Sequence, residues 1–132
     1  MFSKYRFTLP MQVRDYECDI EGIVNNANYL HYLEHTRHQF IQTKGISFTR
    51  LHEEGIDMVV ARIAISYKKP LRGGDQFMSC LNIRKEGLRY VFEQDIIRLP
   101  DNTLAATAQV HVVSIVNGRL ADCPHLLDKL NR

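Results

Sequence analysis

The chain has 132 residues, of which 45% are hydrophobic and 24% are charged, and its formal net charge is +2. These values exclude a disordered, collagen-like or coiled-coil protein, and they predict a single globular domain over residues 1–132. Basic charge is not concentrated as it is in nucleic-acid-binding modules, and no apolar run approaches the roughly 20 residues of a membrane span.

The first part of the chain changes from a strand pattern to a helical pattern. Residues 4–13 alternate apolar and polar side chains, which predicts a strand. After an irregular acidic stretch, the apolar spacing of residues 29–44 predicts a long helix, with Asn28 as N-cap and Gly45 at its C-terminal end. Its apolar stripe comprises Tyr29, Leu33, Thr36 and Phe40, widened by Leu30 and Ile41.

The second part reads mainly as strands, because the apolar period falls to two after a short helix predicted over residues 47–54. The predicted strands and the final helix cover residues 59–68, 77–85, 88–99, 103–116 and 124–132. One strand, one helix and four further strands joined mainly by hairpins form an α+β pattern, in which a long sheet wraps around the helix.

The three cysteines, Cys18, Cys80 and Cys123, are odd in number and widely spaced, and they form no C-x-x-C pair. The first ten residues lack the apolar core of a signal peptide. We therefore expect reduced thiols in a cytoplasmic protein.

Four carboxylates precede the long helix within seven residues: Asp15, Glu17, Asp19 and Glu21. A carboxylate beside the free N–H groups of a helix N-terminus suits attack on a carbonyl, because those N–H groups can stabilise the oxyanion that forms. The alternative is a solvated acidic loop that only complements the helix dipole.

Residues 19–29, DIEGIVNNANY, resemble the D-x-x-G-h-V-x-x-x-x-Y signature of the 4-hydroxybenzoyl-CoA thioesterase-like hotdog family. The similarity covers roughly residues 5–125 of the chain. Weaker matches lie at Tyr32, Glu34 and Arg37 and in residues 65–75 and 105–108.

This resemblance implies a hotdog fold, a curved five-stranded antiparallel sheet around one long central helix. It also implies hydrolysis of acyl-CoA or acyl-carrier-protein thioesters in a homodimer or homotetramer with interfacial sites. Asp19 would be nucleophile or general base, the backbone N–H near Asn26 would polarise the thioester carbonyl, and Gly22 would allow close approach. The resemblance implies no metal ion and no cofactor. Coenzyme A is not counted as a cofactor, because it is part of the substrate.

The chain departs from one branch of the family, which carries a histidine at the position of Asn26. Asparagine can form hydrogen bonds but cannot exchange a proton near neutral pH, so Asn25 or Asn26 would orient a water or the carbonyl instead. Tyr29, Tyr67 and Tyr90 are candidate lining residues for the acyl group. The cations expected to bind the coenzyme A phosphates are Lys68, Lys69 and Arg72, although strand-end cations also serve solubility.

Three other side-chain groups compete with Asp19. Glu34, on the helix, is a second candidate catalytic carboxylate, but its spacing also suits an ion pair with Arg37. Three histidines share one helix face and could bind zinc: His31, His35 and His38. A wholly polar helix face, however, is more typical of contact with solvent or with another subunit. Cys18 lacks an adjacent histidine, and a small buried cysteine is the common case.

Two other functions suit the same fold. One is an enoyl-thioester hydratase or dehydratase, which usually needs a catalytic histidine that is absent from the Asp19 motif. The other is a non-catalytic acyl-CoA-binding module that keeps the cationic phosphate contacts without turnover.

Overall fold

Five long strands and three helices make up most of residues 2–131, which are the residues that the computed structural model describes. The α+β class and the predicted order of one strand, helix and further strands are confirmed. In chain order the elements are β1 (Phe7–Gln12), a 3₁₀ turn (Asp15–Glu17), α1 (Asn26–Thr43), α2 (Phe48–Glu53), β2 (Ile56–Tyr67), β3 (Gln76–Glu86), β4 (Arg89–Leu99), β5 (Thr103–Val116), the two-residue β6 (Arg119–Leu120) and α3 (Pro124–Leu130).

The sheet is antiparallel in the order β1-β3-β4-β5-β2, and β6 adds two residues beside β5. The two-residue turn between β3 and β4 lies one residue later than predicted, because Glu86 pairs directly with Arg89. Leu88 therefore lies in the turn and is exposed, rather than starting the strand. Gly87 has a φ of 59°, which this turn requires and glycine adopts without strain.

Helix α1 begins three residues earlier than predicted. Its N-cap is Asn25, whose side chain accepts a 2.9 Å hydrogen bond from the Ala27 N–H, and not Asn28. Asn28 instead donates through Nδ2 to the Glu17 carbonyl at 2.8 Å. Gly45 follows the helix with a φ of +72°, as expected at a helix C-terminus.

One face of α1 packs into the concave side of the sheet. The predicted stripe of Tyr29, Leu33, Thr36 and Phe40 is buried, and Thr36 shares a 2.6 Å hydrogen bond with Ser79 of β3. Leu30 does not widen the stripe, because 37% of its surface is exposed. The helix approaches β3 and β1 most closely, so the inner face of β2, at the opposite edge of the sheet, is less covered.

Candidate active site

The segment from Cys18 to Val24 forms a tight hairpin that presents Asp19. Cys18 and Val24 form a β-bridge, the Asp19 N–H donates to the Ile23 carbonyl at 2.9 Å, and the Gly22 N–H donates to the Asp19 carbonyl at 3.0 Å. The Asp19 carboxylate accepts a 2.9 Å hydrogen bond from the Glu21 N–H. Gly22 closes the turn at a φ of +78°, which glycine adopts without strain.

Glu17 joins this hairpin to helix α1. Its carboxylate, which is largely buried, accepts hydrogen bonds from the Tyr32 hydroxyl at 2.8 Å and from the Arg14 N–H and guanidinium at 2.8 and 2.9 Å. Its carbonyl accepts from the Asn25 N–H at 3.0 Å and from the Asn28 side chain. Burial alone raises the pKa of Glu17, but the hydrogen bonds from Arg14 and Tyr32 outweigh it and hold this pKa below its usual range.

The N-terminus of α1 contributes an unpaired N–H group. The Ala27 N–H is capped by Asn25, and the Asn28 N–H donates to the Asn25 carbonyl at 2.9 Å. Asn26 is the first helical residue, and among residues 2–131 its N–H donates to no protein acceptor. This exposed donor lies at the positive end of the helix dipole, so it can stabilise a negative charge that develops on an oxygen beside it.

The end of β2 and the segment after it form the opposite wall. The Tyr67 hydroxyl donates to the Asn26 carbonyl at 3.3 Å, and the rings of Tyr67 and Tyr29 meet edge to face at 5.2 Å. The Tyr29 hydroxyl accepts a 3.1 Å hydrogen bond from the Leu71 N–H. The Val24 N–H donates to the Leu71 carbonyl at 2.8 Å, so hairpin, helix and strand end are held together.

The hairpin, the start of α1 and the end of β2 border a cavity of about 410 Å³ that is open to solvent. Its lining residues are Asp19, Ile23, Val24, Asn25, Asn26, Tyr29, Tyr67, Lys68, Lys69 and Pro70. Seven of the predicted site residues therefore meet at one place, and the volume lies within the usual range for small-molecule sites. Gly22 and Arg72 do not line the cavity, and Tyr90 is buried in the core instead. Arg72 forms a β-bridge with Ile23, and its N–H donates to Asp75 at 2.8 Å.

Glu34 lies apart from Asp19, on the wall of a second cavity of about 140 Å³. The ion pair expected between Glu34 and Arg37 is not formed within the described residues. Arg37 is buried and donates instead through Nη1 to Gln94 Oε1 at 3.0 Å. The prediction of that ion pair was wrong, because the i,i+3 spacing gave no sign of a buried amide on β4.

The other two candidate groups are the Cys18 thiol, as a nucleophile, and the three helix histidines, as zinc ligands. Burial and the neighbouring carboxylates raise the pKa of the Cys18 thiol, which disfavours the thiolate that a nucleophile needs. His31 contacts Asn28 at 3.2 Å, and the His38 ring packs on Phe48 at 5.0 Å. In residues 2–131, no three His, Cys, Asp or Glu side chains form a group that could hold a metal ion.

Sequence reasoning did not single out Glu17 as a structural anchor. It also missed the apolar lining contributed by Ile23, Val24 and Pro70. Glu17 stood among four similar carboxylates, and its partner Tyr32 is 15 residues away. The only local signal was Arg14, three residues before it, which completes a capping-box arrangement with Glu17.

The sequence model of the thioesterase-like superfamily matches residues 13–130. The chain belongs to this superfamily. It is 30% identical over 119 residues to the acyl-CoA thioesterase YbgC of Haemophilus influenzae, which covers 86% of this chain and 84% of that protein. This membership makes the protein a thioester hydrolase, as the Asp19 motif predicted.

Two further similar proteins extend the comparison. The acyl-acyl carrier protein thioesterase ATL3 of Arabidopsis thaliana is 35% identical to this chain over 92 residues. The matched region covers 69% of this chain but only 48% of the plant protein. Among solved structures, a 1,4-dihydroxy-2-naphthoyl-CoA thioesterase from Synechocystis superimposes with a TM-score of 0.87 at 21% identity, over 94% of this chain and 93% of that one.

A protein from Staphylococcus aureus, solved in complex with CoA, has a TM-score of 0.85 at 21% identity and covers 95% of this chain and 80% of that one. These structural likenesses confirm the hotdog fold that the sequence predicted. No helix in residues 2–131 combines the length and apolar character that crossing a bilayer requires.

Proposed function

We propose that the protein hydrolyses acyl-CoA thioesters in the cavity beside Asp19. The observation that carries this proposal is the convergence on one cavity of a carboxylate (Asp19), an unpaired N–H (Asn26) and two cations (Lys68 and Lys69). A thioester whose carbonyl oxygen accepts from the Asn26 N–H would have its carbonyl carbon near the Asp19 hairpin. The acyl-CoA activity of the Haemophilus influenzae relative supports the same substrate class.

In the proposed reaction Asp19 acts on the thioester carbonyl by one of two routes. As a general base it removes a proton from water while the water oxygen attacks the carbonyl carbon. As a nucleophile it forms an acyl anhydride that water then cleaves. In both routes the negative charge develops on the carbonyl oxygen beside the Asn26 N–H, and the C–S bond breaks to release the coenzyme A thiolate.

Release of free thiol from a panel of acyl-CoAs, followed with a thiol reagent, tests this function. We expect turnover on at least one member of the panel. A hydratase would instead change the absorbance of an enoyl thioester without releasing thiol. A binding module would bind the panel with no reaction at all, and either outcome would overturn the proposal.

Lys68 and Lys69 are proposed to contact the phosphates of coenzyme A. Both side chains are exposed at the cavity rim, and both N–H groups are fixed on the Ala105 carbonyl at 2.8 and 3.1 Å. In the Lys68→Ala/Lys69→Ala variant we expect KM to rise several-fold with little change in kcat, because the lost contact serves substrate and transition state alike. Steady-state kinetics at low and high salt measure this effect.

Arg72→Ala is the matched control for the lysine variant, because Arg72 is an exposed cation near the same cavity but not on its wall. We expect its KM to stay close to that of the wild type. A larger KM effect from Arg72→Ala than from the double lysine variant would place the phosphate contact outside the cavity rim.

We propose that the active unit is a homodimer formed through strand β2. This strand is an edge of the sheet, and its exposed apolar side chains include Val59, Val60, Ile63 and Tyr67, each at least 40% exposed. The other edge, β1, carries Pro10, which cannot donate a hydrogen bond to an added strand. Pairing of two β2 strands about a twofold axis would cover the apolar edge and place the cavity, which Tyr67 lines, beside the interface.

Light scattering tests this assembly. The wild type is expected to be a dimer at micromolar concentration, or a dimer of dimers. Val59→Lys combined with Ala64→Lys places charges on the outer side of β2, away from the cavity, and should shift the mass towards a monomer. Gln12→Lys adds a charge to the other edge and should leave the mass unchanged. A monomeric wild type would contradict the proposal.

A further inference from the structure

Arg37 is a buried cation with an incomplete set of partners. Only 5% of its surface is exposed, and the one hydrogen bond of its guanidinium to another described residue joins Nη1 to the neutral amide oxygen of Gln94. Burial lowers the pKa of Arg37 to about 10, a shift that the charge of Glu34 partly offsets, so the guanidinium remains protonated near neutral pH. A buried cation is normally compensated by an anion.

The guanidinium of Arg37 has two nitrogens, Nε and Nη2, that no residue within 2–131 uses as hydrogen-bond donors. No side-chain nitrogen or oxygen fully buried within residues 2–131 lacks a hydrogen-bond partner. Because Nε and Nη2 of Arg37 have no such partner, each retains some accessible surface. Arg37 also lines the 140 Å³ cavity.

Six of the nine residues that line this second cavity are apolar. Besides Arg37 it is lined by Glu34 and His38, which are exposed, and by Ile41, Phe48, Met58, Val60, Phe92 and Val112. Apolar side chains beside one forked cation suit an apolar chain that ends in a carboxylate, because a guanidinium can donate two parallel hydrogen bonds to the two carboxylate oxygens.

The same two elements border both cavities. Helix α1 contributes Asn26 to the candidate active site and Arg37 to the second cavity, and β2 contributes Tyr67 to the first and Val60 to the second. Arg37 lies eleven residues after Asn26, which corresponds to about 16 Å along the helix axis. Between the two cavities, the side chains along this border are apolar and partly exposed, namely Leu30, Ile63 and Ile65.

We propose that Arg37 binds a carboxylate at the far end of the substrate's acyl chain, so that the enzyme prefers monothioesters of dicarboxylic acids. This inference rests on the proposed function, since it places the thioester at the Asp19 cavity and the acyl chain along the border of α1 and β2. Folding has already removed most water from the Arg37 guanidinium. The free-energy cost of binding therefore includes the desolvation of the ligand carboxylate but little further desolvation of the arginine.

Glu34 competes with the ligand for Arg37. It is an exposed carboxylate on the wall of the same cavity, three residues before Arg37, and it forms no ion pair within the described residues. Its negative charge opposes the entry of a second carboxylate. Removing that charge should therefore strengthen the preference for a carboxyl-terminated chain.

Calorimetric binding to the Asp19→Asn variant tests the inference without turnover. The probes are two series of acyl-CoAs of matched length, from six to sixteen carbons, one ending in a methyl group and the other in a carboxylate. At one length or more, we expect the carboxyl-terminated ligand to bind at least about tenfold more tightly, the scale of a charge-assisted hydrogen-bonded pair. Equal or weaker binding of that series at every length would overturn the proposal.

Variants at Arg37 identify the source of the preference. Arg37→Met fills the space without the charge and should abolish the preference while keeping affinity for methyl-terminated ligands. Arg37→Lys should retain part of it, and Glu34→Gln should increase it. If Arg37→Met does not fold, Glu34→Gln still tests the role of Arg37. An unchanged or smaller preference of Glu34→Gln for carboxyl-terminated over methyl-terminated ligands would overturn that role.

The test separates this inference from the proposed function. If the wild type releases thiol from methyl-terminated acyl-CoAs while no carboxylate preference is found, the inference fails and the function stands. If both series bind with the expected preference and neither is hydrolysed by the wild type, the function fails and the carboxylate site stands.

Discussion

Asp19→Asn should lower kcat by about a hundredfold or more, the contribution typical of a positioned general base. The substitution removes the basicity and nucleophilicity of the side chain but keeps an oxygen that can accept from the Glu21 N–H, which is the one hydrogen bond to the carboxylate from residues 2–131. Because Asp19 is exposed in a hairpin and contributes nothing to the core, the midpoint of thermal unfolding should change little. Thiol release at saturating acyl-CoA measures kcat, and calorimetry measures the unfolding midpoint.

Glu34→Gln is the matched control for Asp19→Asn, because it neutralises the other candidate carboxylate. On methyl-terminated acyl-CoAs it should have a much smaller effect on kcat, since Glu34 lies in a different cavity from Asp19 and Asn26. Loss of turnover in Glu34→Gln with near-normal turnover in Asp19→Asn would reverse the assignment. Full activity in both variants would exclude both carboxylates.

The location of Asp19 shows what the sequence could predict about the site. The D-x-x-G-h-V motif lies within one hairpin, so its residues are close in space because they are close in the chain. The contribution of Tyr67 and Lys68 depended on the similarity of a distant strand, and the structure brings both to the same cavity. The separation of Glu34 from Asp19 was not predictable from spacing, because both residues stand on or beside the same helix.

The strands were predicted well where the local pattern decides the structure. Strand β5 covers Thr103–Val116 as predicted, because an apolar period of two is maintained and turn residues bound it. The order of the strands was not predictable in this way. It places β2 beside β5 at the edge of the sheet, a consequence of long-range pairing that no local pattern encodes.

The start of α1 shows a different limit. Asn25 and Asn28 are both suitable N-caps, and side-chain type alone does not distinguish them. The choice is made by Glu17, whose carbonyl accepts from the Asn28 side chain and from the Asn25 N–H. A tertiary contact therefore sets a boundary that propensity leaves open, and it also makes Asn26 the first helical residue with a free N–H.

Glu17→Gln should destabilise the fold by about 1–3 kcal/mol at neutral pH, the cost of weakening hydrogen bonds to a charged, buried group. The Glu17 carboxylate accepts from Arg14 and Tyr32, and an amide can accept at only one of its two heavy atoms. Tyr32→Phe removes one of these bonds and should cost less, about 1 kcal/mol. Urea unfolding measures both values.

The pH dependence of this loss has a defined sign. Because the pKa of Glu17 is lower in the folded state than its ordinary value near 4.5, the ionised carboxylate adds stability above that value. That contribution is lost as the pH falls from about 4.5 through the folded-state pKa. The stability difference between wild type and Glu17→Gln should therefore shrink on acidification, whereas exposed Glu21→Gln should match the wild type near neutral pH. A difference that stays constant down to low pH would show that the charge of Glu17 does not hold the hairpin to α1.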